Sequence, residues 1–408
     1  MRNMNDSRTS SPPARGVWRS PVILDDLTAD LIWPRLLKAG SLAVRPGRLA
    51  LAFFYLVGLA AIVSVADRID GVEGNVLLAA AAEWLRHFND LLQACTRLNG
   101  AEVGQAVYGM FIGTLLELLS SHTILTIGFL PVILVWTTLM GGAISRIAAM
   151  DFAQGVGLSW PEGMGYAMGR WSSFAGSIFG PLLVVYGIVL ALAVGGWVLF
   201  SLSGVNVVGG LLWPLFLIGG AVAAVIMLAM TLGGPMLVPA VACEGTDAID
   251  AVQHAYSYVF AKPLRLLVYM AILAAEFLLI SVVVAAVIWL IVNVAQQGAG
   301  MWVAVPADNV LRGQPELEGV DSVASGFVRF WTGIPLLLGV AFAVSYFWCA
   351  ATVLYLAMRR VCDGQDITEV WVDTIVPGTM AERKQPIAAA KVSSPADAIV
   401  DNGPADAT

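Results

Sequence analysis

Glu276 is the acid whose position asks for chemistry. It lies within the apolar run LLVYMAILAAEFLLISVVVAAVIWLIV, about 15 Å along a helix from the start of that run at about 1.5 Å per residue. That is near mid-bilayer, where an ionised carboxylate costs about 3 kcal/mol or more. The side chain is therefore expected to face the bundle interior and to be hydrogen-bonded there. Two uses fit such a group: a proton- or cation-coupled site, or a neutral acid bonded to a neighbouring helix. Depth selects its partners. The last apolar run has its midpoint near Val344, which puts Ser345 and Tyr346 level with Glu276.

The rest of the chemical inventory is sparse. The four cysteines (Cys95, Cys243, Cys349, Cys362) contain no Cys-x-x-Cys, and His87, His122 and His254 are far apart. No spacing suits zinc. Cys243-Glu244-Gly245-Thr246-Asp247 and Cys362-Asp363-Gly364-Gln365-Asp366 offer paired acids. The calcium loop they would need is missing, so the shared pattern reads as a helix stop followed by a new cap. There is no phosphate-cradling Gly-rich loop and no Ser-His-Asp framework. No catalytic residue, metal ligand or cofactor is assigned, and the chain is expected not to be an enzyme.

The elements that hold Glu276 follow from composition. The 408 residues are 58% apolar and 12% charged, with a mean hydropathy of +0.80. A soluble domain is about 45–50% apolar and about 25% charged. The excess must face lipid. The net charge of −7 argues against nucleic acid, which needs a basic stripe.

Charge-free runs locate six spans at about 20 residues per crossing: 48–66, 123–142, 181–202, 210–232, 266–293 and 330–358. Pro131 is expected to kink the second, and Ser201–Gly210 separates the third from the fourth. The domain so defined runs from 23 to 375, with disordered tails at 1–22 and 376–408. The N-terminal tail has basic residues but no apolar stretch behind them, unlike a signal peptide. Seventeen Lys and Arg fall on the side of the termini against five on the other. This places both termini in the cytoplasm of a bacterial inner-membrane protein. Residues 105–119 are apolar but short, and read as interfacial or re-entrant.

The segments on the basic side repeat. Arg45-Pro46-Gly47-Arg48 leads into the first span as Lys262-Pro263-Leu264-Arg265 leads into the fifth. Pro suits a first helical turn, and Arg45, Arg48, Lys262 and Arg265 read as lipid-headgroup anchors. Ser159-Trp160-Pro161-Glu162 forms a capping box. Each inward span would lead through an interfacial helix into an outward one. Spans two and three, four and five, and six and one then form a threefold parallel repeat. Gly165/Gly169, Gly176/Gly180, Gly220/Ala224 and Ala341/Ser345 have the spacing of close helix packing or dimerisation.

The runs Leu237–Leu267, Gly141–Ala153 and Arg359–Trp371 resemble uncharacterised bacterial six-helix membrane proteins. More distantly, they are similar to the membrane domain found beside some glycerophosphodiester phosphodiesterases. Over roughly residues 45–371 the resemblance implies a multi-pass helical fold and no established activity. The catalytic barrel of those phosphodiesterases has no counterpart here, so their hydrolysis is not expected. The function expected from the sequence is transport or accommodation of a small molecule or lipid, with membrane lipids and a membrane complex or second copy as partners. The alternative is a non-catalytic scaffold.

Overall fold

A computed structural model describes residues 33–70, 76–201, 204–303, 305–314 and 317–371. The two tails expected to be disordered lie outside these residues. Every regular element among the described residues is helical. The chain is an all-α polytopic bundle, and long apolar helices define it as a multi-pass membrane protein.

Two short helices, α1 (Trp33–Leu36) and α2 (Ala39–Ala43), precede the first long one, α3 (Pro46–Asp70). A hairpin follows: α4 (Val76–Thr96), then α5 (Gly100–Tyr108), a π-helical turn (Gly109–Gly113) and α6 (Thr114–Ser121). Next come α7 (Thr123–Gln154), the short α8 (Trp160–Gly169) and α9 (Trp171–Phe200). After α10 (Asn206–Leu211) the chain returns through α11 (Trp213–Glu244), α12 (Ala248–Ala261) and α13 (Pro263–Gly300). It ends with α14 (Val305–Leu311) and α15 (Val320–Asp363).

Seven helices among the described residues are long and apolar enough to cross a membrane, against six expected. The addition is Gly100–Ser121. The sequence reading cut it to 105–119; the π-helical turn instead joins α5 to α6 without a break. This helix does not alter the parity of the bundle. Leu118, near its end, clusters with Ala66 of α3 and Leu125 of α7, so the hairpin starts and finishes at one end of the molecule. Leu91 and Val107, one on each limb, pack about midway along α9 and α11, on Val185 and Met227.

The long helices also overrun their expected limits at the end where the basic residues gather, here called the basic end. Span two was expected to stop at 142, yet α7 continues through Arg146 and Asp151 to Gln154. Charge ends an apolar run without ending a helix when protein groups satisfy it. Pro131 sits inside α7, and Pro181, Pro235, Pro239 and Pro335 sit inside the other long helices. Membrane helices tolerate this where neighbours satisfy the freed carbonyls.

The three long helices that run towards the basic end, α7, α11 and α15, pack on one another, with α3, α9 and α13 outside them. Helix α3 lies against both α7 and α15, its furthest neighbour in sequence. Lipid gives helices little hydrophobic reason to associate, so contact depends on close packing. Small residues provide it: the Trp348 ring lies on Gly141 and the Phe174 ring on Gly142, where a Cβ would come within 2.4 and 2.8 Å. Each of α7, α11 and α15 ends on a left-handed glycine, Gly155, Gly245 or Gly364. The interfacial helices then pack back, α8 on α7, α12 on α11 and α2 on α15.

Candidate functional site

Glu276 is 8% exposed and bonded to two other elements. Its Oε1 accepts from the Gly40 amide at 3.0 Å, one of the unpaired donors in the first turn of α2. The Tyr346 hydroxyl lies 2.9 Å from Glu276 Oε2 and 2.7 Å from the Leu273 carbonyl. Ser345 points elsewhere and donates to the Ala43 carbonyl at 2.8 Å. Glu276 thus fastens α2 and α15 to α13. Gly40 is a participant that sequence reasoning missed. A Cβ there would fall 2.2 Å from Ile280 Cδ1 and 2.9 Å from Glu276 Oε1, so only glycine lets the amide come this close.

The basic residues have a second role. Arg48, read above as a headgroup anchor, is 1% exposed and must be corrected. It pairs with Asp151 at 2.8 Å and donates from Nε to the Leu42 carbonyl at 2.6 Å. Buried this way, it does not reach a lipid headgroup. Arg45 also pairs with Asp151, at 2.8 Å, with its side chain 57% exposed. Lys262 donates to the Val361 carbonyl at 3.1 Å, and Arg265 is exposed. Arg170, before α9, donates to the Gly245 carbonyl.

A rule emerges from these bonds: a cation from the start of each helix that leaves the basic end binds the end of a neighbouring helix that arrives there. Arg45 and Arg48 serve α7, Arg170 serves α11 and Lys262 serves α15. Such ends carry unsatisfied carbonyls and a partial negative charge. The end of α11 is covered most fully. Tyr166 donates to the Val241 carbonyl at 3.2 Å, Arg146 to Ala242 at 2.9 Å and the Trp371 amide to Cys243 at 2.9 Å. Arg359, 3% exposed, holds the segment before Trp371 by donating to the Asp366 and Glu369 carbonyls. Asp366, on the surface, has its carboxyl held below the ordinary range chiefly by the Thr368 amide.

The far end is built differently. A cavity of about 800 Å³ opens between α3, α4, the π-helical turn with α6, α7, α9 and α11. Apolar side chains such as Leu59, Val63, Trp84, Leu115, Ile133 and Leu182 line most of it. Among the described residues its lining includes no Asp, Glu, Lys, Arg or His. The hydroxyls on its wall are engaged: Tyr55 with Thr137 at 3.3 Å, Ser64 to Ala60 at 2.7 Å, Thr114 to Gly109 at 3.0 Å and Tyr186 to Phe111 at 2.9 Å. At the π-helical turn Tyr186 donates to the Phe111 carbonyl, and the Thr114 hydroxyl joins its own amide on the Gly109 carbonyl. This locks the hairpin as one wall. Across the hairpin, the His87 ring rests on Gly109, where a Cβ would come within 2.5 Å.

No family model, no curated protein and no solved structure matches this chain.

Proposed function

We propose that this is a non-enzymatic protein of a bacterial inner membrane that accommodates an apolar small molecule or lipid in the far-end cavity. The observation that carries this reading is the cavity itself. At about 800 Å³ it falls within the roughly 300–1,000 Å³ of small-molecule sites. The tightly packed core at the basic end supports accommodation over passage through the bundle. The bias of basic residues supports a cytoplasmic basic end. There the exposed Lys262 and Arg265 suit anionic headgroups.

A scaffold role is the second reading. It is favoured by α12, which leaves Ile249 and Phe260 80% and 58% exposed. Native mass spectrometry of the full chain released from detergent separates the two. The proposal expects apolar adducts that disappear when Ala60→Phe and Ala81→Phe fill the cavity. A bare mass in the wild-type chain, with a protein partner co-purifying instead, would favour the scaffold.

A further inference from the structure

We infer that the occupant of the far-end cavity is the hydrocarbon chain of a membrane lipid. This rests on the accommodation reading and narrows it to one class of ligand. The first argument is chemical. A polar solute entering the cavity gives up water, and burying an unpaired polar group costs about 1–3 kcal/mol on protein scales. The wall offers little compensation, because the hydroxyl protons of Ser64, Thr114 and Tyr186 are already donated within the protein and Tyr55 bonds Thr137. With no charged side chain among the described residues of the wall, these residues provide nothing to pair with a charged headgroup either. A saturated chain has no polar group to satisfy.

The second argument is shape. The lining on α3 runs from Tyr55 to Ser64, and on α9 from Ile178 to Tyr186. At about 1.5 Å per residue these are lengths of about 12–14 Å. The cavity therefore extends along the helix axes, on α3 from mid-helix towards the far end and on α9 up to mid-helix, the direction in which acyl chains lie. A compact solute would leave much of that length unfilled.

The test uses the full chain in phosphatidylcholine vesicles doped with phosphatidylcholine bearing a diazirine on its acyl chain. After irradiation, labelled residues are mapped and compared between the cavity wall and the exposed lipid-facing residues Leu278 and Leu279 of α13. Preferential labelling of the wall is expected. It should be lost with Ala60→Phe and Ala81→Phe while labelling of α13 persists, and Ala224→Phe, outside the cavity, should change neither. Uniform labelling of wall and α13, or wall labelling indifferent to filling, would overturn the inference. If toluene binds and protects the wild-type chain from heat while the wall stays unlabelled, the acyl chain is wrong and accommodation stands. If neither occurs, both fail.

Discussion

The amide of Gly40 and the carboxyl of Glu276 lie 3.0 Å apart across 236 residues of sequence. This bond fastens the short helices before α3 into the bundle beside the Tyr346 hydroxyl. A glutamine at 276 can reproduce the pattern, with its oxygen accepting from Gly40 and its amide donating to Tyr346. Glu276→Gln should therefore leave thermal stability close to wild type. Glu276→Leu strands the Gly40 donor and should cost about 1–3 kcal/mol. Equal melting temperatures for the leucine and glutamine variants would show that the bond contributes nothing.

The glycine provides a matched comparison. Gly40→Ala must displace Ile280 or the Glu276 carboxyl, whereas a Cβ at Gly47 meets nothing within 4 Å. Gly47→Ala lies in the first turn of α3 and should be neutral or stabilising, by up to about 1 kcal/mol. Gly40→Ala should destabilise. Thermal melts of the two variants in the same detergent check this, and identical behaviour would contradict the close approach.

The ion pair beneath α7 predicts non-additive losses. Removing Asp151 alone leaves Arg48 buried at 1% exposure without its acid, a change that typically costs about 3–5 kcal/mol. Asp151→Asn should thus be strongly destabilising, and Asp151→Asn with Arg48→Met should recover much of the loss. A double variant as unstable as the sum of the singles would contradict the pairing.

Alkaline pH tests the end of α15. Tyr258 donates to Asp363, and burial first, then the Asp363 carboxylate, push its hydroxyl well above the ordinary phenol range. An unfolded tyrosine ionises at about pH 10, while the folded one stays neutral. The stability from this group is complete below that value and falls as pH rises above it. Tyr258→Phe removes the titration, so its stability should decline less steeply above about pH 10. Parallel slopes for wild type and variant would reject the assignment.

The sequence exposes the spans better than it exposes their relations. Charge-free runs locate the long helices because a bilayer admits little else. Their ends at the basic side are hidden, since Arg146 and Asp151 look like the limit of a span until their partners are visible. Arg48 looks like a headgroup anchor for the same reason, and the second role of Lys262 is hidden too: nothing local shows which helix end lies opposite. The left-handed stops at Gly245 and Gly364 could be read from their acid-Gly pattern. Gly155, preceded by Gln154, could not. Depth alone offers Ser345 and Tyr346 equally as partners of Glu276, and only Tyr346 bonds it; Gly40 belongs to a segment with no apolar run to mark it. The cavity has no local signature at all, because six separate stretches of ordinary apolar residues build its wall.

A guest held in the far-end cavity inside the membrane should be visible in experimental density for the full chain in lipid nanodiscs. Elongated density is expected between α3 and α9, bounded by Tyr55 and Ser64 on one side and by Ile178 and Tyr186 on the other. Helices closed together over that space, with Leu59 and Leu182 filling it, would leave no room for a guest and overturn the proposal.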